Sequence, residues 1–189
     1  MGKILCFVPE RFAEFEVTLA LHLLRDMGQR EIVTVGYTRD PVVSYSGLCC
    51  VPDITLEGAS KLHDIEAFIM PGGPIAEHSE PLTALLQSLH AQNILLAAIC
   101  FGPQYMARAG LLAACHYTTS CSPGHIQKLG IADPFPRENY REERVVTDGS
   151  IITAQGHAFV DFAYAIVRRL GIAESENDLT WLYNAITNR

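Results

Sequence analysis

Asn93-Ile94-Leu95-Leu96-Ala97-Ala98-Ile99-Cys100-Phe101-Gly102-Pro103 decides the reading of this chain: an apolar run of strand length stops at a cysteine, and a helical pattern starts just beyond it. A thiol so placed sits on a tight strand-to-helix turn. Such a turn pushes the side chain out of the sheet, while the unpaired N–H groups of the following helix favour negative charge beside it. That field stabilises thiolate over thiol and makes Cys100 a candidate nucleophile, set against the inert buried role that many cysteines have.

Outward from this stretch, strand and helix patterns alternate. Residues 3–9 read as a buried strand, and residues 15–28 carry apolar residues at helical spacing, with Gly28 closing the helix. A second strand at 31–37 completes a strand, helix, strand unit with short connections, which is right-handed and parallel. Residues 41–52 predict a β-hairpin insertion around Ser46-Gly47. Further strands are predicted at 65–70 and 93–99, with an amphipathic helix at 81–91 between them and a helix at 102–112 after the turn. A short extended piece at 116–120 and a Pro-rich loop at 133–138 follow. Residues 144–147 and 151–154, joined by Asp148-Gly149-Ser150, predict a hairpin-linked strand pair, and helices at 158–170 and 174–187 close the chain. The fold class expected is α/β: one domain over residues 1–189, a three-layer α/β/α sandwich around a mainly parallel sheet.

Composition excludes several classes of function. A chain of 189 residues with 49% hydrophobic content can bury a sizeable core. Its net charge of −7 comes without a basic cluster, so no nucleic-acid or anionic-membrane footprint is present. Apolar stretches fall short of the ~20 residues that span a bilayer, and the first residues run straight into a strand pattern without a cleavage signature. No membrane helix and no signal peptide are expected, and the expected compartment is the cytoplasm. Six cysteines (6, 49, 50, 100, 115 and 121) do not make the dense framework of a small secreted scaffold, so reduced thiols are expected. Cys115, His116, Cys121 and His125 fit no standard structural-zinc spacing, and neither metal nor cofactor is expected. Trp181, Leu182 and Tyr183 read as packing residues, within the monomer or across a subunit contact.

In a parallel α/β sheet the ligand crevice lies beyond the carboxyl ends of the strands. Glu16 in the first turns of the first helix, Gly72-Gly73 after the 65–70 strand and Cys100 all fall there. The glycines allow a turn that exposes N–H groups, which with the N–H of Phe101 could hold an oxyanion; they equally suit a plain tight turn. Glu14 and Glu16 could be ordinary acidic partners of a helix start. If Glu16 instead points inward beside a thiolate, burial pushes its carboxyl towards the protonated form, able to donate to sulfur and pass a proton to substrate.

Phe15-Glu16, Pro71-Gly72-Gly73 and Ala98-Ile99-Cys100-Phe101-Gly102-Pro103, in that order and spacing, resemble the DJ-1/PfpI (ThiJ/PfpI) family. Thr118-Thr119-Ser120 and Ile151-Ile152-Thr153-Ala154-Gln155-Gly156 extend the resemblance over nearly the whole chain. The resemblance implies a flavodoxin-like fold related to class I glutamine amidotransferases, and a homodimer. It also implies roles: Cys100 as nucleophile, Glu16 as its hydrogen-bonded acid/base, and the Gly73 and Phe101 amides as oxyanion donors, with Gly72 and Ser120 beside them. This chain departs from the protease-like branch, which has histidine where Phe101 stands, and from the deglycase-like branch, which has histidine where Ser120 stands. His157, at a strand-to-helix turn on the same edge, is the candidate replacement imidazole; the competing reading is a surface histidine. Three functions stay open: an enzyme adding the Cys100 thiolate to a small reactive carbonyl, ranked first; an amide or peptide hydrolase; and an oxidation-sensing or chaperone-like stress protein. The expected partners are a small-molecule substrate and a second copy of the chain.

Overall fold

The strand-length apolar runs form strands buried on both faces, which is why they show no polar alternation. The computed structural model describes residues 2–76, 78–172 and 176–187. In chain order its elements are β1 (Lys3–Phe7), α1 (Phe15–Asp26), β2 (Glu31–Gly36), β3 (Val42–Val43), β4 (Cys49–Cys50), β5 (Ile54–Thr55), α2 (Leu56–Ala59), β6 (Ile65–Met70), α3 (Glu80–Ala91), β7 (Leu95–Ile99), α4 (Pro103–Arg108), α5 (Pro123–Leu129), β8 (Val145–Asp148), β9 (Ile151–Ala154), α6 (Phe159–Arg169) and α7 (Glu176–Thr187).

A seven-stranded sheet in the order β5-β2-β1-β6-β7-β9-β8 forms the middle layer, parallel except where β8 turns back along β9. Successive residues of one strand feed opposite cores. Leu5 and Phe7 join Leu85, Leu86 and Met106 on the face covered by α2, α3 and α4, while Ile4 and Cys6 join Val17, Leu24, Phe162 and Ile166 on the face covered by α1 and α6. The expected three-layer α/β sandwich is the architecture found. Among the described residues no helix is long and apolar enough to cross a membrane.

Several expectations shift at element ends. The helix predicted at 102–112 stops at Arg108, and Gly110 takes a left-handed turn (φ +75°) that ends the pattern. Residues 123–129 form a helix in what reads as loop, with Ser122 capping the His125 N–H, Pro123 in the first turn and Gly130 left-handed at the end. The extended piece at 116–120 contributes a single bridge, Tyr117 to Tyr140. α1 ends at Asp26, and Gln29 rather than Gly28 adopts the left-handed turn (φ +53°). The β5 edge strand and α2 have no counterpart in the sequence reading. The hairpin is present as the separate β3–β4 pair, tied to the loop before α1 by Arg11 N–H to Val43 C=O and Tyr45 N–H to Phe12 C=O. At the C-terminus the predicted helix start, 174–175, lies outside the described residues. Tyr183 packs edge-on against Tyr164 and donates to Asp161, whereas Trp181 is 71% exposed and is not a packing residue of the monomer. The side chain of Leu182 lies outside the described residues.

Candidate active site

Cys100 follows β7 with φ +61°, a left-handed conformation that costs a non-glycine residue of order 1–3 kcal/mol. The strain is held by neighbours: the Cys100 N–H donates to Ala154 C=O on β9 (2.8 Å), and its C=O accepts from the Ser120 N–H (3.0 Å) and the Thr119 hydroxyl (2.6 Å). Such a fixed elbow aims Sγ beyond the sheet's carboxyl edge, where the side chain stays half-buried rather than sealed.

Glu16 follows β1 and reaches Cys100 across the end of β6, which lies between β1 and β7. Its side chain turns inward in the first turn of α1, leaving the residue 3% exposed, and Oε2 accepts the Gly72 N–H at 2.7 Å. Glu14 turns the other way, against Ser46 and Ser44 of the hairpin, whose hydrogen bonds pull its carboxyl below the ordinary range. Glu16 and Cys100 face each other closely enough that each perturbs the ionisation of the other. Two glycines make the meeting possible by lacking a side chain. A Cβ on Gly72 would stand 2.6 Å from Glu16 Oε2 and 3.1 Å from Cys100 Sγ, and one on Gly156 would stand 2.9 Å from Sγ and 3.0 Å from Glu16 Oε1.

Burial is the largest push on both acids. It raises Glu16 above the ordinary carboxyl range against the bonds it accepts from Cys100 and Gly72, and the charge of Glu14 adds to the rise. It pushes the Cys100 thiol up to about 12, helped by the charge of Glu16 and the bond donated to that carboxylate, and opposed by bonds from Ser120 and the Phe101 N–H. The field of the following helix was expected to favour thiolate; burial and the neighbouring Glu16 charge outweigh it and push the thiol up. Both contributions from Glu16 reverse once that carboxyl holds the proton, because the repulsion disappears and the carboxyl becomes a donor to sulfur. The ionisation of the two groups is therefore coupled, the protonation of each bearing on the other.

Two further expectations change. The Gly72 N–H is engaged by Glu16, so Gly72 is a clamp for that carboxylate and not an oxyanion donor. The candidate donors reduce to the Phe101 N–H, already directed at sulfur, and the Gly73 N–H, which makes no hydrogen bond among the described residues. His157 is exposed and lines a groove with Tyr140, Glu142, Glu143, Arg144 and Gln155. No histidine hydrogen-bonds Cys100 or Glu16 among the described residues. The 3-10 turn Gly156–Ala158 presents the Gly156 backbone to the site and leaves the His157 ring outside, which corrects its candidacy as third catalytic member.

Ser120 is at the site: its N–H donates to Cys100 C=O (3.0 Å), and its hydroxyl accepts the Gly156 N–H (2.9 Å) and donates to Gln155 Oε1 (3.0 Å). A cavity of about 330 Å³ opens beside it, lined by Thr119, Ser120, Cys121, Ser122, Pro123, Arg137, Tyr140 and Gln155. Gln104, fully buried on α4, clamps the Gly-rich loop by accepting the Ala76 N–H (2.9 Å) and donating to Pro74 C=O (3.1 Å). Gln155 and Gln104 were missed in the sequence reading. For Gln155 a signal existed, since it directly follows β9 on the edge that supplied every other candidate.

The chain resembles known proteins over nearly its whole length. The model of the DJ-1/PfpI family matches residues 2–169. The Parkinson disease protein 7 homolog of Danio rerio is 29% identical over 91% of this chain and 91% of its own length. An uncharacterized protease, YoaZ, of Bacillus subtilis is 23% identical over 88% of this chain and 79% of its own, and Deglycase PfpI of Pyrococcus furiosus is 22% identical over 81% and 89%. A DJ-1 superfamily protein from Agrobacterium tumefaciens, known as a crystal structure, superposes with a TM-score of 0.82 at 26% identity, covering both chains completely.

Proposed function

The chain belongs to the DJ-1/PfpI family, and from that premise we propose that it is a cysteine-dependent enzyme acting on small reactive carbonyls or their adducts, of glyoxalase or deglycase type. The observation that carries the reading is the buried Glu16 carboxyl held between the Gly72 N–H and the Cys100 thiol. Relatives named as deglycases support it.

On a 2-oxoaldehyde, Glu16 takes the thiol proton as Cys100 Sγ adds to the aldehyde carbon, and returns that proton to the new alkoxide, giving a hemithioacetal. The Phe101 N–H, directed at the sulfur, and the Gly73 N–H are the donors assigned in this reading to the transient oxyanion. Glu16, again a carboxylate, removes the C1 hydrogen as a proton and delivers it to C2, while the hydroxyl proton on the C1 oxygen passes to the C2 oxygen. The result is a thioester of the 2-hydroxy acid, which water hydrolyses to release the acid and restore the thiol. The oxidation at C1 balances the reduction at C2, so the reaction needs no cofactor. A carboxyl with a raised pKa suits this role because it must alternate between acid and base near neutral pH. An acyl-transfer route is less well served, since it calls for an imidazole or equivalent to protonate a leaving amine.

The same reading takes the chain as a homodimer. Phe15, Tyr45, Leu48 and Val51 are each more than half exposed around the hairpin and the start of α1, an apolar surface that a second copy would cover. Sedimentation at micromolar concentration checks this, and a monomer there removes it. For the chemistry, lactate production from methylglyoxal is measured for the wild type, Cys100→Ser and Glu16→Gln. Each variant is expected to lose at least about a hundredfold in kcat/KM. Unchanged turnover in Cys100→Ser would sink the proposal.

A further inference from the structure

We propose that the cavity at the C-terminal end of α4 is a binding site for a small aliphatic carboxylate, whose charged end is taken by the Arg108 guanidinium and whose hydrocarbon lies against Ile75 and Ile131. The site is separate from the Cys100–Glu16 pair and does not depend on Cys100 being the reacting thiol.

Arg108 is the last residue of α4 and is partly buried. Among the described residues its guanidinium makes no hydrogen bond and no ion pair; Nε is sealed from solvent without an acceptor, while the two Nη groups are not sealed. The other partly buried arginines are engaged: Arg30 with Glu66 (2.7 Å), Arg137 with Asp133 (2.8 Å), and Arg141 with the Glu138 and Tyr140 carbonyls (3.2 and 2.8 Å). The end of α4 does not hold Arg108 either. Tyr105, Met106 and Ala107 C=O accept from the Ala109, Leu111 and Gly110 N–H groups, and Ala109 C=O accepts Gln87 Nε2 (2.9 Å). A guanidinium does not shed its proton to escape burial, so the fold carries this charge without an acceptor from the described residues.

A cavity of about 380 Å³ opens at Arg108, lined also by Ile75, Ala76, His78, Ile131 and Ala132. No carboxylate is among these lining residues. The second titratable side chain, His78, is engaged by Glu80 (2.9 Å), which does not line the cavity. The remaining four are apolar, so a matching ligand offers oxygens to the guanidinium and hydrocarbon to the walls. A carboxylate does both: its two oxygens accept parallel N–H bonds from the guanidinium fork, and a short alkyl group leaves water for the apolar wall. An inorganic oxyanion would satisfy the charge and leave the walls wet. With a net charge of −7 the chain as a whole does not draw anions in, so the affinity has to come from these contacts.

The placement ties the site to the loop after β6. Gln104 and Arg108 are four residues apart on α4 and share a face of the helix. Gln104 clamps the loop through the Ala76 N–H and Pro74 C=O, and Ile75 and Ala76 of the same loop line the cavity. A ligand held between Arg108 and these residues braces the segment that follows Gly73, so binding should register as stabilisation of the folded chain.

The test is thermal melting at neutral pH in sodium acetate, butyrate or phosphate, each against sodium chloride at equal ionic strength, for the wild type and Arg108→Met. At ten times its Kd, butyrate should raise the wild-type melting temperature by about 3–6 °C. Arg108→Met should abolish that rise, whereas general salting-out would leave it in both proteins. In chloride alone Arg108→Met should melt no lower than the wild type, because it removes an unpaired charge and keeps an apolar stem; a lower value would mean that the charge is already paired within the chain and overturns the proposal. Butyrate should bind several-fold tighter than acetate, at up to about fourfold per methylene buried. An equal rise in Arg108→Met, no preference for butyrate over acetate, or phosphate outdoing butyrate each overturns the proposal. If Arg108→Met does not fold, Ile131→Asn is used, since Ile131 is 38% exposed and tolerates a change of side chain. That variant should weaken butyrate and leave acetate unchanged, and equal effects on the two overturn the proposal. None of these readouts involves Cys100, so failure here leaves the proposed function standing, and loss of turnover in the Cys100 variants says nothing against the Arg108 site.

Discussion

Gly156→Ala tests the packing on which the chemistry depends. The added methyl would stand 2.9 Å from Cys100 Sγ, 3.1 Å from Cys100 Cβ and 3.0 Å from Glu16 Oε1. Unbonded heavy atoms rest at about 3.5–4.0 Å, so the shortfall at sulfur is roughly 0.6–1.1 Å. The backbone cannot withdraw freely, because the Gly156 N–H is held by Ser120 Oγ at 2.9 Å. Relief must come from parting the thiol and the carboxyl or from shifting the 3-10 turn. Overpacking of this kind costs about 1–3 kcal/mol, and at about 2–4 °C per kcal/mol for a chain of this size the melting temperature should fall by roughly 2–12 °C. Alkylation of Cys100 at pH 7 should slow by about tenfold or more as the proton acceptor is displaced, one decade per ~1.4 kcal/mol. Gly124→Ala on α5 is the matched control: its methyl would meet only Ser122 Oγ at 4.0 Å, and a melting temperature unchanged or higher is expected. A Gly156→Ala protein that melts and alkylates like the wild type would refute the described meeting of sulfur and carboxyl.

Three further outcomes follow from the same contacts. Gln104→Ala removes the partners of the Ala76 N–H and the Pro74 C=O inside the core; a loss of about 2–5 kcal/mol is expected in urea titration, with reduced turnover as the Gly72-Gly73 loop slackens. Glu16 has its folded-state pKa raised, so its contribution is complete below the ordinary carboxyl value of 4.5 and is lost as pH rises through the folded value. Glu16→Gln should therefore gain stability relative to the wild type on going from pH 4 to pH 8 in thermal melts, and a variant that loses stability relative to the wild type over that range contradicts the direction assigned. Asp161 behaves oppositely: burial works against its charge, but the Tyr183 hydroxyl (2.7 Å) and Arg144 Nε (3.0 Å) hold it below the ordinary value of 3.8. Asp161→Asn should cost about 1–3 kcal/mol at neutral pH, a deficit that shrinks as pH falls below 3.8.

Much of the scaffold was legible because it rests on local pattern. The apolar run 93–99 had to be a strand covered on both sides, and its stop at Cys100-Phe101-Gly102-Pro103 had to be a turn into a helix. The paired segments around Asp148-Gly149-Ser150 formed the antiparallel β8–β9 pair as read. Short elements escaped where a few residues were outweighed by neighbouring breakers: α5 contains Pro123 and Gly124 and reads as loop, though Ser122, Pro123 and Gly130 are in hindsight its start and stop signals. β5 has only two residues and is a strand because β2 offers it an edge.

By itself, then, the sequence determined the alternation of strands and helices, the elbow that carries Cys100 and the edge on which Glu16, Gly73 and Ser120 would gather, since periodicity and backbone preference are properties of neighbouring residues. Tertiary structure alone decided that Gly72 serves Glu16 and not an oxyanion, that His157 stands outside, that Gln155 faces Ser120, and that a buried carboxyl lies close enough to Cys100 to raise its pKa. Protonation and hydrogen-bond pairing depend on which groups distant in the chain meet out of water, and no spacing along the chain records that.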